Sequence, residues 1–162
     1  MPRLVFTTPL GPCALTWHER GLTGFELPNA PAKPDDTATA PAAITGLILR
    51  VHEHLAGRAQ DFSDAPFDFD TVPAFHADVL RATLLVKAGS TRTYGEIAHA
   101  IGRGPVASRA VGAALGANPW PLLVPCHRIV AADGKMTGFS GPGGIRTKLR
   151  LLALEGAELF AD

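Results

Sequence analysis

The stretch that decides the fold runs from residue 93 to residue 130 and reads "TYGEIAHAIGRGPVASRAVGAALGANPWPLLVPCHRIV". Its first part predicts two short helices, at 93–102 and 104–118, with glycines at positions 102 and 104 between them. Pro105 suits the first turn of the second helix, where a backbone N–H donor is not needed. Two short helices across a tight glycine turn are typical of a helix-turn-helix, a motif that binds DNA in some proteins and only packs in others.

The second of these helices has an unusual surface. Its side chains are small at Ala107, Ser108, Ala110, Gly112, Ala113 and Ala114. Arg109 is its only long polar side chain. Such a helix can approach a phosphate backbone closely or enter a groove. It can equally be a tightly packed helix whose arginine extends into solvent, and the helix alone leaves both readings open.

Cys126 lies in the second part of the stretch, between Pro125 and His127. Free cysteine most often serves as a small buried hydrophobic residue, but a thiolate with a neighbouring base is a nucleophile. The apolar run at 120–124 predicts a strand that leads to this cysteine, and Asp133-Gly134 predicts a hairpin turn after it. Adjacent residues of a regular strand point to opposite faces, so a Cys126–His127 pair requires an irregular backbone, which Pro125 favours.

A third candidate residue lies further along the chain, in "IRTKLRLLALEGAEL". Apolar residues at Ile145, Leu149 and Leu152 predict a helix that ends at Gly156. Glu155 then lies at the carboxyl end of the helix, where the helix dipole disfavours an anion, and a protonatable histidine would stabilise it. Cysteine, histidine and glutamate would supply a nucleophile, a base and an orienting group, although a solvated glutamate is the alternative.

The rest of the chain predicts an α/β fold of the α+β type. The first 26 residues have the pattern of a β-meander, and residues 28–43 form a Pro- and Ala-rich surface loop or linker. Helical stripes follow, one from Ile44 that ends at Gly57 and one from Pro73 that is closed by Gly89. We therefore expect an N-terminal lobe at 1–70 and a second domain at 73–162.

Composition and charge restrict the class of protein. The 162 residues are 46% hydrophobic, and the absence of a long apolar run or a signal-peptide pattern predicts a soluble, cytoplasmic protein. Two cysteines, Cys13 and Cys126, form neither a disulfide framework nor a metal-binding pair. The net charge is zero, but residues 81–150 hold 10 Lys and Arg against 2 Asp and Glu. This basic segment could follow phosphates, or it could be a solvated face without a partner.

Taken together and in order, these motifs resemble the O6-alkylguanine-DNA alkyltransferases, also called methylated-DNA–protein-cysteine methyltransferases. The resemblance is carried by "TRTYGEIAHAIGRGPVASRAVGAALGANP", "NPWPLLV", "PCHRIV" and "GFSGPGGIRTKLRLLALEG", and it runs from Phe75 to Gly156. It implies a small ribonuclease-H-like N-terminal lobe and a mostly helical C-terminal domain with a helix-turn-helix and an active-site cysteine loop. It also implies single-turnover DNA repair without a cofactor.

The resemblance assigns the catalytic roles residue by residue. Cys126 would accept the alkyl group from O6 of guanine, His127 would act as its base through a water, and Glu155 would orient His127. Asn118 would lie in the turn between the recognition helix and the active site. Double-stranded DNA that contains O6-alkylguanine would be bound from the minor groove by a monomer, with the damaged nucleotide flipped out of the helix.

The resemblance also implies contacts to the flipped nucleotide. Tyr94 would contact N3 of the base, Arg109 would fill the vacated stack, and the backbone amide of Ser140 would face O6. The carbonyls of Cys126 and Ile129 would accept from the exocyclic amine, and Lys148 would line the pocket. Further substrate or DNA contacts are implied for Ser108, Ala110, Leu115, Arg128 and Phe139.

Some positions depart from the family pattern. Phe139 stands where the family often has tyrosine, "SGPGGI" is longer than the usual loop, and Trp120 is larger than the expected aliphatic residue, so the pocket width stays open. Some members bind zinc in the N-terminal lobe. Cys13 and His18 do not make a ligand set, so we predict no metal.

Three other functions compete with repair. A lesion sensor of the alkyltransferase-like type would bind damaged guanine without repairing it, but such proteins lack the cysteine that this chain has at position 126. A cysteine hydrolase could use Cys126, His127 and Glu155, but it would leave Tyr94 and the basic segment unexplained. A transcriptional regulator could use the helix-turn-helix and would need no thiol.

Overall fold

The computed structural model describes residues 2–28, 40–132 and 144–157. Three antiparallel strands open the chain in the order β1 (Arg3–Thr8), β2 (Gly11–His18) and β3 (Gly21–Glu26). The predicted meander is therefore confirmed. Gly21 has a φ of +132°, and a side chain there would come within 2.3 Å of the Pro66 carbonyl oxygen. Only glycine fits this close approach between the sheet and the following loop.

In the described part of the chain, five helices and two short strands follow the sheet. The helices are α1 (Ala42–Leu55), α2 (Ala74–Leu84), α3 (Tyr94–Ala100), α4 (Ser108–Gly116) and α5 (Gly144–Leu154). Strands β4 (Arg92–Thr93) and β5 (Ile129–Val130) pair in parallel. Single 3₁₀ turns lie at Phe69–Thr71, Pro105–Ala107 and Cys126–Arg128. This mixed architecture agrees with the predicted α+β class.

The helix-turn-helix is formed by α3, the 3₁₀ turn that begins at Pro105, and α4. Thr93 and Glu96 form a reciprocal capping box at the start of α3, which satisfies two backbone donors. The helix α4 buries Val111, Ala114 and Leu115. The two predicted helices are therefore present, with Pro105 in the first turn as expected.

The predicted strand at 120–124 is wrong. Pro121 and Val124 close a turn in which Leu122 has a φ of 79°, and the Val124 N–H donates to the Trp120 carbonyl at 2.9 Å. The prolines at 119, 121 and 125 lack the N–H that a strand needs for its ladder, which explains the difference. The predicted hairpin turn at 133–134 lies outside the described residues.

The buried stripe of α5 also differs from the expected one. The helix buries Lys148, Leu151 and Leu152, whereas Ile145 is 45% exposed. The apolar pattern predicted the wrong buried face of α5, because the Lys148 side chain points into the core. There its Nζ donates to the Ile129 carbonyl at 2.6 Å. A buried polar side chain with a partner can thus replace an apolar residue on a core face.

One apolar core joins the sheet to the helices, and its members include Leu15, Val51, Leu80, Trp120 and Leu151. Trp120 is fully buried, with its ring edge-on to Phe67 at 5.1 Å and to Phe69 at 5.5 Å between centroids. The large side chain therefore fills the core. The division of the chain into 1–70 and 73–162 stays a prediction. None of the described helices combines the length and apolar character needed to span a bilayer.

Candidate active site

Cys126 lies in the first position of a 3₁₀ turn that follows Pro125. Its N–H donates to the Val124 carbonyl at 2.7 Å, and its residue surface is 9% exposed. The Asn118 side chain also binds this backbone. Its amide nitrogen donates to the same Val124 carbonyl at 3.1 Å, and its amide oxygen accepts from the Trp120 N–H at 2.9 Å. The irregular backbone that the Cys126–His127 pair requires is therefore confirmed.

The environment of Cys126 keeps its thiol protonated at rest. Burial raises the pKa of Cys126, while a hydrogen bond from Asn118 and the charge of Lys148 act in the opposite direction. Burial in turn lowers the pKa of Lys148 to about 8. A thiolate at this position therefore requires a base that takes the proton as the reaction proceeds.

His127, the next residue, is the candidate for that base. Its side chain is fully buried, and its Nε2 lies 2.8 Å from Glu155 Oε2. Burial lowers the pKa of His127 despite the neighbouring carboxylate, so the ring is neutral near pH 7. Because a carboxylate only accepts, Nε2 carries the proton and Nδ1 is the free acceptor. Nδ1 has no hydrogen-bond partner among the described residues.

Glu155 directly follows α5, and its side chain is 1% exposed. Arg128 binds it in a bidentate manner, with Nε to Oε1 at 2.9 Å and Nη2 to Oε2 at 2.8 Å. His54 Nε2 also lies 2.8 Å from Oε2. Burial alone would raise the pKa of Glu155, but the hydrogen bonds from Arg128, His127 and His54 outweigh it and hold that pKa well below its usual range. The carboxylate is therefore ionised in the protein interior.

Two side chains that the sequence placed in contact with substrate or DNA lie in the interior. Arg128 is 6% exposed, because its guanidinium binds Glu155 and donates to the Val86 carbonyl at 2.6 Å. Leu115 is also 6% exposed and belongs to the apolar core. Both side chains therefore point into the protein, and the contacts that the resemblance implies for these two residues stay predictions.

The start of α4 lies at the protein surface. Arg109 and Ala110 are exposed, and Ser108 is partly buried. The half-buried Tyr94 on α3 lies beside Gly112, where an added methyl group would be 3.8 Å from its ring. Burial raises the pKa of Tyr94, and a thiolate at Cys126 raises it further, so its hydroxyl remains a donor. The predicted Phe139 and Ser140 lie outside the described residues.

Most described basic side chains of residues 81–150 lie on the surface. Among the described residues of this segment, the exposed cations are Arg81, Lys87, Arg92, Arg103, Arg109, Arg146 and Arg150. Two of them lie over aromatic rings, Arg81 at 4.5 Å from the centroid of Phe69 and Arg103 at 5.3 Å from that of Phe75. Apart from Arg128 and Lys148, the described cations of the basic segment are thus available to phosphates.

Sequence reasoning missed His54. Its position on α1 carries a signal, because it comes three residues after Val51 and directly before Leu55, on the stripe that faces the core. A polar residue on such a stripe needs a buried partner. The sequence could not name that partner, since Glu155 is 101 residues away along the chain.

The chain is similar to known proteins over nearly its whole length. A family model described as 6-O-methylguanine DNA methyltransferase, DNA binding domain, matches residues 74–157. The methylated-DNA–protein-cysteine methyltransferase of Mycobacterium tuberculosis is 39% identical over 157 residues, 96% of this chain and 92% of the relative. A DNA base-flipping protein of Thermus thermophilus is 39% identical over 154 residues, 93% of this chain and 97% of the relative. The crystal structure of M. tuberculosis OGT in complex with DNA has 38% identity and a TM-score of 0.78, covering 94% of this chain and 92% of that one.

Proposed function

Because this chain belongs to the methylated-DNA–protein-cysteine methyltransferase family, we propose that it repairs O6-alkylguanine in DNA by transferring the alkyl group to Cys126 in a single turnover. The observation that carries the proposal is the buried network that joins His127 and Arg128 to Glu155, because both residues belong to the same 3₁₀ turn as Cys126. We also propose that the protein acts as a cytoplasmic monomer, associated with the nucleoid when bound to DNA.

The reaction can be written with its atoms and electrons in balance. His127 Nδ1 takes the proton of the Cys126 thiol, directly or through a water, while Glu155 stabilises the imidazolium that forms. The sulfur forms a bond to the alkyl carbon, and the bond from that carbon to O6 breaks. Its electron pair remains on guanine, whose N1 takes a proton from water, and the imidazolium of His127 returns its proton to the solvent. The products are unmodified guanine and an S-alkylcysteine at position 126.

The leaving group needs stabilisation, since an alkyl ether on a base is a poor electrophile. Negative charge develops on guanine as the bond to O6 breaks, and preorganised donors near O6 and N3 lower the barrier. We propose the Tyr94 hydroxyl as the donor to N3 and the Ser140 amide as the donor to O6. The carbonyls of Cys126 and Ile129 would accept from the exocyclic amine, with Lys148 holding the Ile129 carbonyl in place.

The product explains why each molecule acts once. A thioether is chemically stable, and reversing its formation needs a second nucleophile that reaches the alkyl carbon. Among the described residues, Cys13 on β2 is the other thiol, and it is 1% exposed within the apolar core. The protein would therefore be consumed stoichiometrically.

Access to O6 requires that the nucleotide leave the base stack. The small side chains of α4 allow the helix to approach the minor groove, and the exposed Arg109 can enter the gap that the flipped nucleotide leaves. Arg109 would then stabilise the flipped state and have no part in the chemical step. This separation of roles gives a testable difference between duplex DNA and free base.

Replacing Arg109 by alanine should slow methyl transfer from duplex DNA about tenfold or more. Flipping costs a few kcal/mol of unstacking, and the variant loses the side chain that offsets part of this cost. The reaction with free O6-methylguanine base should keep its rate within about twofold, since nothing has to be flipped. Single-turnover rates on both substrates measure the effect. Arg150→Ala, which removes an exposed arginine from α5, is the matched control. Equal losses on both substrates would exclude the flipping role.

Of the alternatives, the lesion sensor keeps a specific observation in its favour, because one relative is named a DNA base-flipping protein. Such a sensor would use Tyr94 and Arg109 in the same way. It would have no use for a buried thiol with a base and an oriented carboxylate behind it. The hydrolase alternative gives no role to the exposed arginines of the basic segment.

The test of the proposed function is the mass of the intact protein after it is mixed with a duplex that contains one O6-methylguanine. We expect a gain of one methyl group per protein, located by peptide mapping on the peptide that contains Cys126. An unmodified protein that still binds the lesion would establish the sensor. An unmodified protein that ignores the duplex would exclude both DNA functions.

A further inference from the structure

His54 brings α1 into contact with the carboxylate of the candidate active site. Its side chain is 1% exposed, and its Nε2 lies 2.8 Å from Glu155 Oε2. His127 Nε2 and Arg128 Nη2 lie at the same distance from that oxygen. One carboxylate oxygen therefore accepts from three buried donors, of which one comes from the N-terminal part of the chain.

The tautomer of His54 follows from its second contact. The backbone N–H of Gln60 donates to His54 Nδ1 at 2.9 Å. A ring nitrogen that accepts a hydrogen bond carries no proton, so the proton of the neutral ring is on Nε2. His54 is thus a donor to Glu155 in a fixed tautomer.

The ring of His54 is also held mechanically. Phe62 packs against it with ring centroids 5.4 Å apart and planes inclined by 55°. Together with Gln60 on one edge and Glu155 on the other, this contact leaves the imidazole no freedom to rotate. Because this donor cannot move, its hydrogen bond to Glu155 Oε2 keeps one direction. The position of the shared oxygen is thereby restricted.

We infer that His54 is a positioning residue, which fixes Glu155 Oε2 against His127 and so keeps His127 aligned with Cys126. The inference rests on the proposed function, because this alignment affects the rate only if His127 takes the proton of Cys126. Arg128 fixes the plane of the carboxylate through both oxygens, and His54 adds a third direction. The N-terminal part of the chain then contributes to transfer as well as to folding.

Two substitutions separate this role from a purely structural one. In His54→Asn the side-chain oxygen can take the place of Nδ1 and accept from Gln60, but the side chain is too short to reach Glu155. In His54→Gln the amide nitrogen can take the place of Nε2 and donate to Glu155, but the acceptor for Gln60 is lost. His52→Asn is the matched control, because His52 lies on the same helix and its exposed ring contacts the Thr7 carbonyl instead.

We expect His54→Asn to slow single-turnover methyl transfer about tenfold, the cost of a small misalignment. Its melting temperature should stay within about 3 °C of the wild type. His54→Gln should restore transfer to within about threefold, because it re-forms one ordinary hydrogen bond. Proton–nitrogen NMR of the histidine rings gives a second readout: the His127 signal should shift in His54→Asn and return towards its wild-type position in His54→Gln.

Three outcomes would overturn the inference. Transfer at the wild-type rate in His54→Asn is one, and equally slow transfer in both variants is another. The third is a loss of rate that follows the melting temperature, since this would indicate a role in holding the Gln60 turn. The NMR readout does not need methyl transfer, so it tests the contact even if the wild type takes no methyl group and the proposed function fails.

Discussion

Cys126→Ala should take up no methyl group from a duplex that contains O6-methylguanine, while its affinity for that duplex stays within about threefold of the wild type. The two properties separate because the chemistry needs the sulfur, whereas affinity comes mainly from contacts between cations and phosphates. Intact-protein mass measures the first property, and a binding titration at fixed salt measures the second.

Cys13 provides the matched control, because it is the other cysteine of the chain. It is 1% exposed, its sulfur lies 3.6 Å from Thr8 Oγ1, and burial raises its pKa to about 11. It therefore has neither a thiolate nor a base, and Cys13→Ala should still gain one methyl group per molecule. Methylation of Cys126→Ala at any residue would contradict the assignment of the acceptor.

The local features of the fold could be predicted from the sequence because short-range physics determines them. Thr93 and Glu96 cap α3 through contacts three residues apart, and Gly156 ends α5 in the left-handed conformation, with a φ of 75°. The pairing of a histidine with Glu155 was also foreseen, from the unfavourable position of an anion at a helix carboxyl end.

Features that depend on distant parts of the chain could not be predicted. Whether Leu115 and Arg128 face DNA or the interior is decided by what packs on them, which a motif does not encode. Arg128 faces inward because Glu155 and the Val86 carbonyl together satisfy its guanidinium. The contact of His54 with Glu155 could not be predicted for the same reason, because only the folded chain brings α1 against the end of α5.

Glu155→Gln should be the most damaging single substitution in the network behind Cys126. Both oxygens of Glu155 face donors, Oε1 the Arg128 Nε and Oε2 the two histidines and Arg128 Nη2. An amide nitrogen in either position would meet a donor, and the buried guanidinium would lose its counter-charge. We expect the free energy of unfolding to fall by about 3–5 kcal/mol near pH 7.

The control for that loss is Glu26→Gln. Glu26 also binds an arginine through both oxygens, since Arg3 Nε lies 2.7 Å from one and Nη2 3.2 Å from the other, but its side chain is 35% exposed. A surface pair of this kind contributes about 0–1 kcal/mol. A loss in Glu155→Gln no larger than the loss in Glu26→Gln would contradict the buried, ionised state of Glu155.

Methyl transfer and pH give the same substitution two further readouts. Without the carboxylate, the imidazolium of His127 loses its stabilisation, and we expect transfer to slow about a hundredfold or more, as when the carboxylate of a catalytic triad is replaced by its amide.

Because the folded pKa of Glu155 lies below its unfolded value near 4.3, the unfolded chain binds more protons there, and wild-type stability falls as pH drops through about 5 to 3. Glu155→Gln has no such group, so the difference in unfolding free energy between it and the wild type should shrink over that range. Urea titrations at several pH values measure this convergence, and a difference that stays constant down to pH 3 would show that Glu155 does not carry the linkage.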